Sequence, residues 1–332
     1  MLKTGKLDSD LLKKLVFDKI TYRSDDVKVR PGIGEDCAVV DYGDYECIMS
    51  TDPITAAVSD IGRLSIHITC NDIASNGVQP LGIMLAVMLP EGTREQDVEH
   101  IMGQAAETAG SLGVEIIGGH TEITPAVKQP VIVSTAIGRA LAGHSQSGND
   151  MSEGDYIMMS KSVGLEGSGI IACDYEKQLE DVLTKEEIDR AKSFLDLVSV
   201  VPEGVAAGTV GTHGMHDVTE GGIMGAVWEM CQIAHKGAEI WEDEIPVEPA
   251  TEKICRNFDI DPMRLISSGS MVIVTPEDKK DDMLAAMRKA GVRCTVIGRI
   301  KDESFGIMKT CGGEISEVDP PYADELYKVV GK

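Results

Sequence analysis

The sequence predicts an α+β protein of two domains, with mixed sheets covered by helices. Three observations predict it. The chain has 332 residues, enough for two sizeable cores. Two passages, residues 82–119 and 270–300, share one layout: strand, Pro-Glu turn, amphipathic helix, glycine stop, strand. Short β runs and helical stretches alternate without a low-complexity segment or long linker.

In the first half CAVVDYG, YECIMSTD and VIVSTAIGRA read as strands. Ile61, Leu64, Ile68 and Asp72 recur at helical spacing, with Asp60 as a cap and Gly77 as a stop. LAGHSQSGNDMSEGDY, residues 141–156, interrupts the periodic regions and divides the chain into domains 1–150 and 151–332. In the second half DYIMMSKSVG reads as a strand, a helical stretch runs from Lys185 to about Ser199, and HDVTEGG leads into a helix.

With 55 acidic and 31 basic residues the net charge is −24, a surface that repels phosphate backbones and argues against a nucleic-acid partner. A nucleotide is still admitted, because local loops and metal ions reverse the field. The first residues have no long apolar stretch, and the longest apolar run, GIMLAVML, is too short to span a bilayer. A soluble cytoplasmic protein with no membrane partner is expected. Eight scattered cysteines without a CxxC pair argue against a disulfide framework or a Cys-rich zinc site. Cys37, Cys70 and Cys231 read as small core residues. His213 and His216, in HGMH, have the spacing of a metal pair, but local polar packing is the better reading without further ligands.

The helix carrying Asp72 raises a chemical question. An unpaired carboxylate on a face shared with aliphatic side chains is costly. Other acids stand at the ends of elements beside small residues. Glu35 and Asp36 follow the Gly32–Gly34 turn, and Asp52 stands at a strand end before Pro53. His120, Thr121 and Glu122 follow a strand ending in Gly118 and Gly119. Each alone reads as a turn former, a cap or an exposed residue. Together they suit a hard cation such as magnesium bridged to phosphates, with glycines admitting backbone N–H groups. Lys161 stands at a strand end before a Gly-rich loop that opens a helix, a geometry for phosphate capture, although no Walker A pattern is present. Asp217, Thr219 and Glu220 precede two glycines and a helix; the competing reading is a helix capped by Thr219 or Asp217.

GIGEDCAVV, STD, the apolar helix with Asn71-Asp72, PLG, GGHTE, the K-x-x-G-x-x-G-S-G loop and HDVTEGG occur in this order. Together they resemble the aminoimidazole ribonucleotide (AIR) synthetase-like superfamily over nearly the whole chain. The resemblance implies an N-terminal mixed sheet that pairs between two subunits into a barrel-like dimer core, and a C-terminal α/β sandwich domain. It implies ATP and Mg2+ near a homodimer interface formed by the N-terminal domain. By motif match Asp36, Asp52, Asp72 and Glu122 are the implied metal ligands. Gly34, Asp36, Thr51, Asp52, Asn71, Gly119, His120, Thr121, Lys161 and Gly167 are the implied nucleotide contacts. Asp72 and Asp217 are the implied catalytic residues, Asp217 in the substrate and γ-phosphate region.

The wording of TGKL, PGIGEDCAVVDYG and STDPITAA is most similar to the hydrogenase maturation branch. That branch ends in a Pro-Arg-Ile-Cys-like tail, whereas the last cysteine here is Cys311. The implied function is ATP-dependent activation of a small molecule, or of a thiol or carboxamide carried by a partner. The alternatives are a phosphotransferase of the thiamine-monophosphate kinase type and an ATP-binding assembly protein without turnover.

Overall fold

Strands with alternating burial form two sheets that meet along one long helix. A computed structural model describes residues 7, 9–32, 34–55, 58–146 and 150–330. Residues 4–6 of TGKL, Ile33, Ala56 and Ala57 of STDPITAA, and 147–149 of the boundary stretch lie outside the described residues.

The first sheet comprises β1 (Val27–Val29), β2 (Ala38–Asp41), β3 (Tyr45–Ile54), β4 (Pro80–Leu89), β5 (Glu115–Ile123) and β6 (Val131–Leu141), in the order β1-β2-β3-β6-β4-β5. The second comprises β7 (Tyr156–Ser160), β8 (Gly214–Asp217), β9 (Lys236–Trp241), β10 (Met271–Thr275), β11 (Cys294–Asp302), β12 (Ile307–Cys311) and β13 (Glu314–Glu317). Its order is β13-β12-β9-β11-β7-β10-β8. Both are mixed: β4 with β5, and β9 with β12, pair parallel, and the other pairs are antiparallel. Neither closes on itself within this chain.

The helices are α1 (Ser9–Leu15), α2 (Ile61–Ser75), α3 (Glu95–Leu112), α4 (Leu165–Asp174), α5 (Glu176–Leu179), α6 (Lys185–Lys192), α7 (Val201–Val210), α8 (Gly222–Ala234), α9 (Pro249–Phe258), α10 (Lys280–Lys289) and α11 (Tyr327–Val330). Among the described residues, no single helix is long and apolar enough to cross a membrane.

The two β-α-β passages form, with one difference. β4 and β5 are hydrogen-bonded neighbours, whereas β7 lies between β10 and β11. Gly113 ends α3 in the left-handed conformation, as its place in the sequence requires. The helical stretch from Lys185 is shorter than expected: α6 stops at Lys192 and a 3₁₀ turn covers Ser193–Leu197. β3 runs through Pro53 to Ile54 and β5 runs through Glu122, so Asp52 and the GGHTE residues lie within strands rather than after them.

α2 lies across β3 and β6 and buries Ile61, Ile66, Cys70 and Ile73 against Ile48, Ile83 and Ile132. α7 crosses the other side of α2, and Val201 joins the same core. A Cβ at Gly204 would stand 2.3 Å from the Ala74 carbonyl oxygen, so only glycine permits this approach. α2 is thus wedged between the first sheet and the second half, with Asp72 at the seam.

Candidate functional site

Asp72 is 8% exposed, and one carboxylate oxygen accepts a hydrogen bond from Ser50 Oγ at 2.5 Å. The Cys37 thiol donates to the Asp72 carbonyl, 3.2 Å away. Asp52 lies two residues beyond Ser50 on β3, hence on the same face, and its buried Oδ2 has no hydrogen bond among the described residues. Burial, followed by the charges of Asp217, Asp52 and Asp36, holds the Asp72 carboxyl well above its usual range.

The loop before β2 brings Asp36 to this seam. Gly34 has φ +74°, and a Cβ there would lie 2.7 Å from Ile233 Cδ1 on α8. Glycine therefore lets the loop settle on α8. Asp36 Oδ2 lies 3.4 Å from His216 Nδ1, and Asp217 Oδ1 lies 3.7 Å from the same nitrogen. His216 Nε2 meets Glu229 Oε2 of α8 at 3.2 Å. Burial works against the imidazolium, but Asp36, Asp217 and Glu229 outweigh it and raise the His216 pKa well above its ordinary value. Asp217 is 1% exposed, at the end of β8 opposite Met271, and its Oδ2 has no hydrogen-bond partner among the described residues. Asp36, Asp52, Asp72 and Asp217 are thereby gathered from four separated segments.

Other expected residues have different surroundings. Asn71 spends its amide on the second half: Nδ2 donates to Val198 O and Oδ1 accepts from Val200 N, both at 2.8 Å. Lys161, expected at a phosphate, points inward instead. Its ammonium donates to Ser199 O at 2.7 Å, Glu203 Oε1 at 2.6 Å and Gly269 O at 2.7 Å, which uses all three donors. Gly167 packs α4 against Leu265, where a Cβ would meet Cγ at 2.5 Å. Thr51 points to the opposite face of β3 from Asp52 and shares a hydrogen bond with Thr135 at 2.7 Å.

Gly119, His120, Thr121 and Glu122 lie on β5, the exposed edge of the first sheet. Gly119 has φ +147° and sits where a Cβ would strike Leu85 O at 2.0 Å. The row Asp52, Ser134, Leu85, Gly119 crosses three strand spacings, roughly 14 Å. Within one chain, therefore, these residues are not brought to the acidic cluster. His120 and Glu122 face each other at 3.4 Å in solvent.

The HGMH histidines diverge. His213 bonds Asp155 at 2.7 Å, as polar packing would have it, while His216 joins the acids. Neither Thr219 nor Asp217 caps α8; its N-cap is Gly221, whose N–H donates to Asp324 Oδ2 at 2.8 Å.

Sequence reasoning missed Ser50, Glu229 and Glu166, and assigned His216 to local polar packing. The His216–Asp217 dipeptide was the one visible signal. Glu166 sits buried in the first turn of α4, with Oε2 lacking a partner. Burial pushes its pKa up to about 7; hydrogen bonds from Ser268 oppose this, and the charges of Asp324 and Asp217 add to it.

Comparison with known proteins places this geometry among relatives. The profile for AIR synthase related protein, N-terminal domain, matches residues 34–140, and that for the C-terminal domain matches 152–309. A putative hydrogenase expression/formation protein of Methanocaldococcus jannaschii is 29% identical over 98% of this chain and 97% of its own. The carbamoyl dehydratase HypE of Rhodobacter capsulatus is 26% identical over 83% of this chain and 81% of its own. A solved structure, the hydrogenase maturation protein HypE in complex with ATP, matches with a TM-score of 0.74 at 22% identity, over 97% of both chains.

Proposed function

Because the chain belongs to the AIR synthase related family, we propose that it uses Mg-ATP to phosphorylate or otherwise activate an acceptor, either a small molecule or a group carried by a protein. One observation carries this reading. Four carboxylates press on one another in a buried seam, with Asp217, Asp52 and Asp36 all disfavouring the charged form of Asp72. Such an arrangement is costly by itself and is offset by bound dications. The buried, unpartnered oxygens Asp52 Oδ2 and Asp217 Oδ2 fit a cation of this kind. The HypE structure that shares this fold holds ATP, which supports the choice of nucleotide.

In this reading Asp36, Asp52 and Asp72 hold magnesium against the triphosphate, and Asp217 serves the γ-phosphate and the acceptor. When bound, magnesium would neutralise charge on the transferred group. The protein supplies position: Ser50 fixes one oxygen of Asp72. Gly34 and Asn71 hold segments that carry the acids, and Lys161 and Gly167 brace α7 and α4. Thr51 on the open sheet face, and Gly119, His120, Thr121 and Glu122 on the β5 edge, reach nucleotide only across an interface with a second copy. Exposed Leu81, Met84, Ile117, Ile123 and Leu141 on this sheet support such a dimer. The division into domains 1–150 and 151–332 follows the same reading.

The acceptor comes from another molecule. Cys311 ends β12, and four strands separate β12 from β8, where Asp217 stands. That is about 24 Å across the sheet. Cys37 adjoins the cluster, but burial and then Asp72 and its neighbouring carboxylates hold its thiol far above the range of a nucleophile. A carbamoyl dehydratase among the relatives supports a thiol- or carboxamide-borne acceptor.

The test is nucleotide turnover by the purified protein with Mg2+, products resolved by chromatography, with a carbamoylated peptide thiol and thiamine monophosphate as acceptors. Asp72→Asn should slow ATP cleavage on the order of 100-fold while ATP still binds. ADP accompanied by thiamine diphosphate would move the protein to the kinase reading. Tight ATP binding without turnover would make it an assembly protein, and no ATP binding at all would remove the proposal.

A further inference from the structure

We propose that Asp36, His216 and Asp217 form a mixed nitrogen–oxygen site for a first-row transition-metal dication, with His216 Nδ1 as the nitrogen ligand. This rests on reading the acidic seam as a cation site, and adds which cation the seam prefers.

The geometry of the imidazole carries the argument. His216 is 5% exposed, and its Nε2 is engaged by the Glu229 carboxylate at 3.2 Å. Histidines that ligate metals commonly donate their other ring N–H to a carboxylate, which fixes the ring and the tautomer. A cation would displace the proton that Asp36 and Asp217 favour on Nδ1; with hydrogen kept on Nε2, the Nδ1 lone pair then faces the ion. Among the described residues that buried nitrogen makes no hydrogen bond, although Asp36 Oδ2 and Asp217 Oδ1 lie 3.4 and 3.7 Å away. These distances are long for hydrogen bonds. The 3.4 Å separation falls within the spacing of neighbouring ligands around one ion, roughly 3–3.5 Å for bonds of about 2.1 Å, and the 3.7 Å separation lies just beyond it. One ligand atom from each of the three residues lies within 4.8 Å of the others. Asp217 offers a second oxygen, Oδ2, that is also buried without a partner.

The donor set decides the class of ion. Magnesium takes oxygen ligands almost alone, whereas imidazole suits iron, nickel, copper and zinc, and affinity rises from manganese through iron, cobalt and nickel to copper. Two carboxylates and one imidazole, held by sequence-distant elements, therefore shift the seam from magnesium toward these ions. The site shares Asp36 and Asp217 with the nucleotide cluster, so the same ion would stand beside the triphosphate.

The experiment uses the full chain, stripped of metal by chelation, without nucleotide. Calorimetric titration with Co2+ and with Mg2+ gives the ratio of affinities. Proton NMR of the Co2+ form reads imidazole ligation directly, as a strongly shifted, exchangeable ring N–H signal. Co2+ should bind at least tenfold more tightly than Mg2+, and the shifted N–H signal should be present. His216→Asn should remove that signal and bring the affinity ratio near one while keeping Mg2+ binding. Glu229→Gln, which leaves the imidazole in place, should weaken Co2+ roughly 10–100-fold; it serves as the second variant should His216→Asn fail to fold. A shifted signal that persists in His216→Asn, or an affinity ratio unchanged by both variants, overturns the nitrogen ligand while leaving the magnesium reading intact. Absence of binding by either ion overturns both.

Discussion

Lys161 places its ammonium 2.6 Å from the Glu203 carboxylate, in a contact where Glu203 is fully buried. The pair ties the turn after β7 to α7, and two carbonyl oxygens complete the coordination of the ammonium. Removing one member of a buried pair leaves an uncompensated charge, which costs about 3–5 kcal/mol. Lys161→Met should lower the urea unfolding free energy by that amount and leave Mg-ATP affinity within a factor of two or three. A tenfold loss of ATP affinity at unchanged stability would return Lys161 to the phosphates.

Asn71 acts in the same structural sense. Its amide replaces the backbone partner that Val198 O and Val200 N lack where the 3₁₀ turn gives way to α7. Asn71→Ala strands two buried backbone groups, a loss of roughly 2–4 kcal/mol. Hydrogen exchange at the Val200 amide should accelerate well beyond that of the β3 amides. Unchanged exchange there would show that the bridge contributes nothing.

How far the sequence reaches is visible in these residues. The strands, the two β-α-β passages and α2 follow from periods of two and 3.6, which are local properties. Asp36, Asp52, Asp72 and Asp217 stood out only in combination and through the family motifs, because each alone has an ordinary reading as a turn former, a cap or an exposed residue. The partners did not. Glu203 lies 42 positions after Lys161, and Val200 lies 129 positions after Asn71. No local pattern announces such pairs. Glu166 was hidden among the glycines of its loop, and its carboxyl meets Ser268 and the charge of Asp324, both more than 100 positions away in the sequence. The GGHTE residues illustrate the converse: Gly118 and Gly119 were read as the end of the strand, but the strand runs on through Glu122 and keeps these residues at the sheet edge.

Glu166 gives a pH dependence with a definite sign. Its carboxyl is raised from an ordinary 4.5 to about 7 in the folded protein, chiefly by burial. Between those values the folded chain binds more protons than the unfolded one, so stability falls as pH rises from about 4.5 to about 7. Glu166 accounts for about 3 kcal/mol of that fall. Asp72 titrates in the same direction, so the informative quantity is the difference between the wild type and Glu166→Gln. The variant should be the more stable by that amount above pH 7, with the two curves converging near pH 4. Parallel urea-stability curves across the range would remove the assignment.

The open face of the first sheet makes the last prediction. Tyr45 and Leu141 stand directly opposite each other on β3 and β6, 43% and 56% exposed, and Met84 on β4 is 41% exposed. β5, beside β4, leaves one edge of its backbone unpaired within the sheet. Apolar side chains beside an unpaired strand edge are a surface that natural proteins cover. Two chains of charge −24 repel each other, so an apolar contact must supply the attraction. Light scattering after size exclusion should give twice the chain mass, and the dimer should tighten as salt screens the repulsion. Met84→Glu with Leu141→Glu should give a folded single chain. A wild-type protein that stays monomeric at high salt and micromolar concentration would remove the dimer, and with it the route by which His120 and Glu122 reach the nucleotide.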